Sequence, residues 1–270
     1  MATITRKWAG ASLSKTKHRF AFFLCCAFAV WSQSAVALEA IDTDGPDFVE
    51  SSEVLAPGHF QYEVDVISSS GSRAAPGSAL IATPGLLKYG IAKDFEIRLA
   101  PNGFEQINGE SGWGDTALGI KWHAQDRDPQ HGRPAISWLL HVDTPSGQAP
   151  FRGNGLRPSL RSVITWDLPH DFALGWMPGI KSDTGADGHR FSAFILGIVL
   201  NQRINEATRV FVEFAAPQIA ASSDGGVIAS WDIGAAYLIS NDIQLGVRTG
   251  IAANANSPNS FLLFELAQRF

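Results

Sequence analysis

The sequence predicts an all-β protein that folds as a transmembrane, antiparallel, up-and-down β-barrel of twelve strands. Three observations lead to this fold class. Apolar and polar residues alternate with a period of two throughout the chain after residue 38, the connections alternate between short and long, and aromatic residues fall near predicted strand ends. A period of two is typical of strands with one apolar and one polar face. Alternately short and long connections are typical of outer-membrane barrels.

The first 37 residues have the pattern of a secretory signal peptide. They contain five basic residues and no acid, and the apolar stretch FAFFLCCAFAV follows at 20–30. Ala35 and Ala37 then provide a small-residue cleavage pattern. An uncleaved membrane helix is the alternative interpretation, but the apolar stretch is short for a span. We therefore expect residues 1–37 to be removed and Leu38 to begin the mature chain.

The remaining chain is acidic and has no cysteine. Removing the five bases of the first 37 residues from the 21 in the chain leaves 16 against 26 acids, a net charge of about −10. This balance argues against nucleic acid as a partner. Cys25 and Cys26 both lie in the signal peptide, so no thiolate metal site is expected, and no cofactor or metal motif is found. No apolar run reaches 18 residues after residue 38. A soluble secreted enzyme and a transmembrane barrel both remain open at this point.

Period-two segments decide between these two classes. The clearest are FQYEVDV at 60–66, DFEIRLA at 94–100 and DIQLGVRTGI at 242–251, and the chain ends on an alternating segment at 262–270. Five further segments fit at about 113–123, 134–143, 157–167, 207–215 and 227–239. Weaker patterns at 79–90, 171–181 and 190–200 bring the count to twelve. The last of these is apolar on both faces.

The connections support a barrel. Short polar connections such as GIAKD, DLPHD and LISND alternate with longer ones rich in Gly, Ser, Pro and Asn, although AQDRDPQHGRP at 124–134 is a long exception. An even number of strands places both chain ends on the periplasmic side. The predicted organisation is a signal peptide at 1–37, an acidic periplasmic or plug-like lead-in at 38–58, and the barrel at 59–270.

Aromatic residues mark the expected membrane interfaces, because amphipathic rings prefer the level of the lipid headgroups. The predicted girdle consists of Trp113, Trp122, Trp138, Trp166, Trp176, Trp231 and Phe270. The alternative for any one of these residues is an ordinary β-core position. Phe270 ends an alternating strand, which resembles the C-terminal assembly signal of outer-membrane barrels. We therefore expect outer-membrane lipid and the barrel-assembly machinery as partners, the latter through the C-terminal strand.

Three stretches resemble one bacterial outer-membrane family. They are IDTDGPDFVESSEVLAPGHFQYE at 41–63, TPGLLKYGIAKDFEIRL at 83–99 and GWGDTALGIKW at 112–122. The family is known as a transporter family or as the "putative MetA-pathway of phenol degradation" family, and the resemblance runs from about residue 41 to the C terminus. It often has Arg where this chain has Gly45. The resemblance implies an outer-membrane barrel that passes small solutes, with aromatic or hydrophobic compounds as candidates.

Charged residues of the parity opposite to the apolar face are expected to point into the lumen. An Arg or Lys at the bilayer midplane costs roughly 2–4 kcal/mol on the lipid face. The candidates are Glu63, Asp65, Glu96, Arg98, Asp115, Lys121, His141, Asp143, Arg161, Arg209, Glu213, Asp232, Arg248, Glu265 and Arg269. They would form either a polar conduction path or a paired ionic network that fills a narrow barrel.

The lead-in before the first strand is densely acidic, with Asp42, Asp44, Asp47 and Glu50 as its candidate gate residues. One hypothesis is that these acids enter the barrel and meet lumen arginines, which would make the segment a plug or gate. The alternative is a solvated periplasmic lead-in. Elsewhere in the chain, Gly197 and Gly246 suggest that the barrel wall is thin at these positions, so that a hydrophobic solute could leave sideways through it.

Two other functional classes compete with a channel. An outer-membrane lipid hydrolase would need a nucleophile and a base within hydrogen-bond reach, and HVDTPSG offers His141, Asp143 and Ser146. No nucleophile-elbow motif supports it, and His141 has lumen parity, so we predict no catalytic residue. A non-conducting barrel that acts as a scaffold or receptor is the second alternative.

Overall fold

The chain folds into a closed antiparallel barrel, described by a computed structural model for residues 39–75, 77–185 and 187–270. The predicted signal peptide, residues 1–37, lies outside the described residues. The strands, in chain order, are β1 (Phe60–Ser69), β2 (Leu80–Ala82), β3 (Gly85–Ala92), β4 (Phe95–Pro101), β5 (Phe104–Ile107), β6 (Glu110–Trp113), β7 (Thr116–Gln125), β8 (Ala135–Thr144), β9 (Arg157–Leu168), β10 (Phe172–Thr184), β11 (Arg190–Arg203), β12 (Thr208–Ile219), β13 (Val227–Ser240), β14 (Ile243–Ala252) and β15 (Ser260–Arg269). Two 3₁₀ turns, at Pro129–His131 and Ser222–Asp224, lie in connections.

Twelve of these strands form the barrel wall, and the first and last of them pair to close it. The strand order follows the sequence from β15 back to β7, then passes through β4 and β3 to β1, which pairs again with β15. Gln61 lies opposite Arg269 and Ser69 opposite Phe261. The amide of Phe270 donates to the carbonyl of Phe60 at 2.7 Å. A closed wall has no unpaired edge in the membrane, and the twelve-stranded barrel prediction is confirmed.

Short turns lie at one end of the wall, together with the longer connection 126–134, and the other long loops lie at the opposite end. Residues 93–94, 169–171 and 241–242 connect strands at the end where the wall begins and finishes, which we call the periplasmic end. The longer connections 145–156 and 253–259 lie at the outer end. In the turn at 169–171, His170 and Asp171 both have positive φ, 62° and 60°. Two consecutive positive φ angles suit a tight hairpin turn.

Two strand predictions are corrected by the structure. The segment at 79–90 is not one strand, because the ladder breaks at 83–84 and β3 begins only after Pro84, which has no amide hydrogen to donate. Residues 104–113, which lie between the predicted strand 94–100 and the start of the predicted strand 113–123, form the β5–β6 hairpin, in which Ile107 lies opposite Glu110. Its turn residues Asn108 and Gly109 have φ of 52° and 88°. β2 and β5 pair with each other, so these three short strands extend the sheet beyond the outer end.

The two faces of the wall differ as the alternation predicts. Apolar side chains near mid-strand are exposed on the outside, among them Val64, Ile97, Leu140, Ile198, Val212, Ile233 and Phe264. Their neighbours in sequence point inward, and most of them are buried. In the described part of the chain, no helix is long and apolar enough to cross a membrane.

The interior has a polar side and an apolar side. Charged side chains of β1, β3, β4 and β7 are buried on the first, including Glu63, Lys88, Arg98 and Lys121. On the second, strands β8 to β12 contribute Leu139, Val163, Met177, Val199 and Phe211, which form a cluster with Val49 and Phe48 of the N-terminal segment. This cluster explains why the 190–200 stretch is apolar on both faces, since β11 meets the outside with one face and residues 48–49 with the other.

Candidate functional site

The candidate site is the interior of the barrel where residues 39–58, here called the N-terminal segment, contact inward-facing side chains of the wall. Asp44 is its most heavily paired residue. Its Oδ2 lies 2.9 Å from Lys88 Nζ and 3.0 Å from Arg98 Nη2, and its Oδ1 lies 2.8 Å from Lys121 Nζ. The amide of Asp44 donates to Glu63 Oε2 at 3.0 Å, and Glu63 Oε1 is 2.7 Å from Lys88 Nζ. One carboxylate therefore joins three strands.

These ion pairs are almost completely buried. Asp44 is 5 % exposed, Lys121 0 % and Arg98 4 %. Burial raises the pKa of Asp44, but Arg98, Lys121 and Lys88 outweigh it and hold the pKa well below its usual range. A buried charge of this kind is stable only while its partners stay in place. The Asp44 contacts consequently fix the segment against β3, β4 and β7.

Glu50 makes the second connection between the segment and the wall. Its Oε1 lies 2.6 Å from Arg161 Nη1, and its Oε2 lies 2.7 Å from Arg98 Nη1. Burial raises the pKa of Glu50, but Arg98 and Arg161 together lower it to about 2. Arg161 also donates from Nη2 to His141 Nδ1 at 2.8 Å. Because arginine only donates, Nδ1 of His141 is the acceptor and the ring hydrogen lies on Nε2.

The third connection joins the segment to β12. Arg209 Nη1 lies 2.9 Å from Asp47 Oδ1. The amides of Phe48 and Val49 donate to the two carboxylate oxygens of Glu213 at 2.8 and 2.7 Å. A chain inside a barrel has no sheet partner for its backbone, so side chains of the wall must satisfy these buried groups.

Further wall side chains bind the remaining backbone of the segment. The amide of Leu55 donates to Glu96 Oε2 at 2.9 Å, and the carbonyl of Ser52 contacts His123 Nδ1 at 2.8 Å. Ser137 Oγ also donates to the Ser52 carbonyl. These contacts continue along β4, β7 and β8, so the segment is attached over most of its length.

Three wall glycines admit the segment at close range. A Cβ on Gly175 would lie 3.0 Å from Val49 Cγ1, and one on Gly197 would lie 2.6 Å from Val49 Cγ2. A Cβ on Gly246 would lie 2.8 Å from Pro46. The sequence suggested that Gly197 and Gly246 thin the wall for sideways exit. In the structure they accommodate residues 46–49 of the segment.

Cavities lie on both sides of the segment. A cavity of about 390 Å³ at the periplasmic side includes Asp42, Asn201 and Arg209 in its lining. Two cavities of about 340 and 520 Å³ lie toward the outer end. Asp47 and Glu50 line both the periplasmic cavity and the first outer one. The segment therefore lies between the periplasmic cavity and the two outer cavities.

The other predicted lumen residues are distributed around these contacts. Asp65 lies opposite Glu265 across the β1–β15 pair, and each has a buried carboxylate oxygen without a hydrogen-bond partner among the described residues. Arg248 reaches Glu213 at 3.3 Å and Asp232 at 3.9 Å. Asp143 lines both outer cavities.

Two predicted lumen residues lie at the rims of the barrel. Asp115, in the connection before β7, accepts from the amides of Gly147 and Gly153 at 2.8 Å each and from Arg157 at 2.7 Å. Burial raises its pKa, but these hydrogen bonds lower it overall. Arg269 binds Asp242 Oδ1 at 2.7 Å at the periplasmic end. Asp115 thus organises outer loops, and Arg269 ties β15 to the turn at 241–242.

The predicted girdle residues all lie on the outer surface, with Trp166 the least exposed of the tryptophans. Trp122, Trp138, Trp166 and Phe270 lie near the periplasmic ends of their strands, whereas Trp113 lies on β6 beyond the wall. Trp176 and Trp231 lie further along β10 and β13, five residues into each strand. The rings of Phe95 and Trp122 stack at 6.1 Å, and that of Phe270 lies 6.2 Å from Phe60.

The residues considered for hydrolysis are not paired with each other. Ser146 Oγ accepts from the amide of Thr116 and from Thr144 Oγ1, each at 3.0 Å. His141 contacts Arg161. Among the described residues, no group of three His, Cys, Asp or Glu is placed to hold a metal ion.

Sequence reasoning missed several wall residues that bind the segment, above all Lys88, His123, Gln61, Gln244 and Ser137. Lys88 lay in the weakly patterned 79–90 stretch. Its position in the period-two pattern could have identified it. Lys88 lies between Leu87 and Tyr89, and Tyr89 is exposed on the outer surface. A basic residue between outward apolar neighbours must point into the lumen.

Comparisons with known proteins agree with this architecture. The family model "Putative MetA-pathway of phenol degradation" matches residues 43–270. No curated protein matches the chain. Among solved structures, an outer membrane channel from Pseudomonas putida F1 has a TM-score of 0.62 at 13 % identity, covering 84 % of this chain and 99 % of that one.

Two porins have the same fold at low sequence identity. The NanC porin has a TM-score of 0.52 at 12 % identity and covers 76 % of this chain and 97 % of its own, and the KdgM porin has 0.51 at 10 %, covering 78 % and 98 %. The chain belongs to the family described as "Putative MetA-pathway of phenol degradation", and it is a twelve-stranded β-barrel whose fold resembles that of the Pseudomonas putida outer membrane channel.

Proposed function

We propose that the protein is an outer-membrane channel for small solutes that the N-terminal segment closes as a gate. The observation that supports this most directly is the position of Asp47 and Glu50 between the periplasmic and outer cavities. Movement of the segment would join these spaces into one path. The family description mentions phenol degradation, and we extend the proposal to aromatic or hydrophobic solutes on that basis.

The attachment of the segment suits a gate. It is held by ion pairs, by side-chain hydrogen bonds to its backbone and by packing of Val49, with few backbone–backbone hydrogen bonds of the kind that join wall strands. Wall cations such as Arg98 and Arg161 would be hydrated once the segment withdrew, so opening exchanges buried ion pairs for water contacts. The wall itself depends on its closed ladder and would stay intact.

Two other functions are less well supported. A non-conducting scaffold or receptor barrel is favoured only by the filled lumen, and the gating experiment below separates it from a channel. We also propose that the protein is not a lipid hydrolase, because Ser146 binds Thr116 and Thr144 and does not contact His141.

A disulfide lock tests the gate. Val49 Cβ lies 3.9 Å from an ideal Cβ on Gly175, within the usual Cβ–Cβ range of about 3.5–4.5 Å for disulfides. The chain after residue 37 has no native cysteine, so Val49→Cys with Gly175→Cys would form one defined bridge. We expect oxidation to abolish channel openings in a planar bilayer and a reductant to restore them.

The single variants Val49→Cys and Gly175→Cys are the matched controls. Gly175→Cys also reports the effect of a new Cβ that would lie 2.7 Å from Val199 Cγ1. Openings that persist in the oxidised double variant would refute the gate. A wild-type protein and a variant lacking residues 39–56 that both stay silent, while folded, would favour the scaffold.

We further propose that β15 is the contact for the barrel-assembly machinery. Phe270 exchanges backbone hydrogen bonds with Phe60, so the last strand completes the closure. Its ring also lies 6.0 Å from that of Tyr62. We expect Phe270→Ala to slow assembly mainly when the machinery is present in proteoliposomes. An equal slowing in plain liposomes would assign the effect to closure alone.

A further inference from the structure

At the outer side of the N-terminal segment, the wall cation Arg161 is paired with Glu50, a residue of the segment itself. Within the described residues, Arg161 has one acidic partner inside 4 Å, Glu50, whereas Arg98 also contacts Asp44 and Glu96. If Glu50 moves away, Arg161 is the wall cation that loses all its acid contacts. Arg161 lines both outer cavities.

Two N–H groups beside this pair have no acceptor. Nε of Arg161 is buried without a hydrogen-bond partner among the described residues, and so is Nε2 of His141. His141 is 7 % exposed and lines the cavity of about 340 Å³. Since Arg161 donates to Nδ1, the unpartnered Nε2 carries a hydrogen and is a donor. A buried donor without an acceptor is costly, and an acceptor ligand in the cavity would relieve it.

The neighbouring cations are already neutralised by acids outside the N-terminal segment. Arg157 lies 2.7 Å from Asp115, and Lys181 lies 3.0 Å from Asp183. The acids Glu63, Asp65 and Glu265 lie on the opposite wall of the first cavity, together with Arg248. An anion entering from outside would be repelled by that wall and by Asp143, which lines both outer cavities, and would be attracted by the charge of Arg161 and the Nε2 donor of His141.

An apolar surface adjoins the basic pair. The cavity of about 520 Å³ is lined by Phe48, Ile195 and Pro217 in addition to Arg161 and Ser159. Phe48 belongs to the N-terminal segment, two residues before Glu50. A ligand that contacted both groups would thus touch the gate at two points. This combination of a cationic end and an apolar side suits a molecule with one carboxylate and an apolar body.

We propose that a small monocarboxylate with an apolar body binds in the outer cavities, its carboxylate replacing that of Glu50 on Arg161 and its body lying against Phe48, Ile195 and Pro217. The solute and Glu50 then compete for Arg161. By displacing Glu50, the solute releases the segment that blocks its own path. The proposal rests on the gated channel proposed above and adds the solute class and the means of release.

Binding of benzoate to the purified full-length protein, measured by calorimetry in detergent, tests the proposal independently of conductance. We expect benzoate to bind and neutral benzyl alcohol to bind at least tenfold more weakly, because a charged group contributes the stronger hydrogen bonds. Arg161→Gln should weaken benzoate binding roughly tenfold or more, and Arg161→Lys should recover part of it. Arg133→Gln, an exposed cation of the connection before β8 that pairs with Asp128, is the control and should change affinity less than threefold.

Glu50→Gln gives the most discriminating result. If Glu50 competes with the ligand, its neutralisation should strengthen benzoate binding, by roughly tenfold when Arg161 is occupied by Glu50 about nine-tenths of the time. A purely structural role for Glu50 would instead weaken binding. Equal affinity for benzyl alcohol, weaker binding in Glu50→Gln, or no binding at all would overturn the proposal. The disulfide lock could still abolish openings in that case, which would leave the gate standing without this ligand.

Discussion

Substitution of Asp44 by asparagine is expected to open the channel. Asparagine has the shape of aspartate but no charge, and it would face Lys88, Arg98 and Lys121, which lie within 3.0 Å of the carboxylate. Lys88 keeps Glu63 at 2.7 Å, whereas Lys121 has no other acid within 4 Å among the described residues. Removing one partner of a buried ion pair costs about 3–5 kcal/mol.

Most of this cost falls on the closed state. With the segment withdrawn, Lys121 would face water in the lumen, and its charge would then be hydrated whether the residue at position 44 is aspartate or asparagine. The amide oxygen of the introduced asparagine keeps some hydrogen bonding, so we take the lower end of the range, about 3 kcal/mol. At about 1.4 kcal/mol per factor of ten, the ratio of open to closed channels should rise roughly a hundredfold.

Open probability in a planar bilayer measures this ratio directly. Glu39→Gln is the matched control, because Glu39 is an exposed acid of the same segment that contacts Arg269 through its backbone carbonyl at 2.7 Å. It should behave as wild type. Hydrogen exchange of the amides of Phe48 and Val49, which donate to Glu213 in the closed state, should accelerate in Asp44→Asn alone. Wild-type open probability together with wild-type exchange, in a folded Asp44→Asn barrel, would refute the reasoning.

Three further predictions follow from the same structure. The lowered pKa of Glu50, about 2, means that its contribution to closure is fully present above its ordinary value of 4.5 and is lost as the pH falls through about 2, so Glu50→Gln should change open probability by the same factor at pH 5 as at pH 7. Recordings at both pH values check this, and an opening at pH 5 that Glu50→Gln abolishes would contradict it. Ile233→Arg, on the outer face near the middle of β13, should destabilise the barrel by roughly 2–4 kcal/mol, whereas Ile239→Arg near the strand end should cost about 0–1 kcal/mol. Urea unfolding in vesicles compares the two, and equal costs would argue against a lipid-facing Ile233. Loss of the Arg127–Glu53 pair, in which both side chains are more than a third exposed, should leave open probability within a few-fold of wild type, and a large increase in Arg127→Gln would show that the segment depends on this rim contact.

The strands could be predicted because their environment imposes a strict period. β1, β4 and β14 have lipid on one side and a polar interior on the other, so their alternation is clean. The alternation weakens where the inner face of a strand packs against the N-terminal segment. β11 packs Val199 against Val49 inside the barrel, and its inner face is therefore as apolar as its outer face.

Local chemistry explains the two strand errors. Pro84 interrupts the 79–90 stretch, and a residue without an amide hydrogen marks a break that periodicity alone does not show. The β5–β6 hairpin had a direct signal, Asn108–Gly109, which is the favoured pair for a turn with two positive φ angles. Its surroundings have the composition of an outer loop, which masked the turn signal.

The candidate site was only partly predictable. The acids of the segment and the cations of the wall both stand out in the sequence, and the structure brings Asp44, Asp47 and Glu50 into ion pairs with the wall. Their specific partners depend on the stagger of twelve strands and on the path of residues 39–58, which period-two patterns do not contain. Asp44 therefore reaches Lys88 and Lys121 as well as Arg98, one of the lumen arginines that were anticipated.

The distribution of these contacts argues for release from the outer side. Asp44 is bound by three nearly inaccessible cations of β3, β4 and β7, and no large solute can approach them while the segment is in place. Glu50 differs, because Arg161 is 15 % exposed at its side chain and lines both outer cavities. A ligand can compete for a group only where it can reach that group. The contact with Arg161 is thus the one that an external solute would break first, and the weakening of the segment at Glu50 would then expose the Asp44 contacts to water.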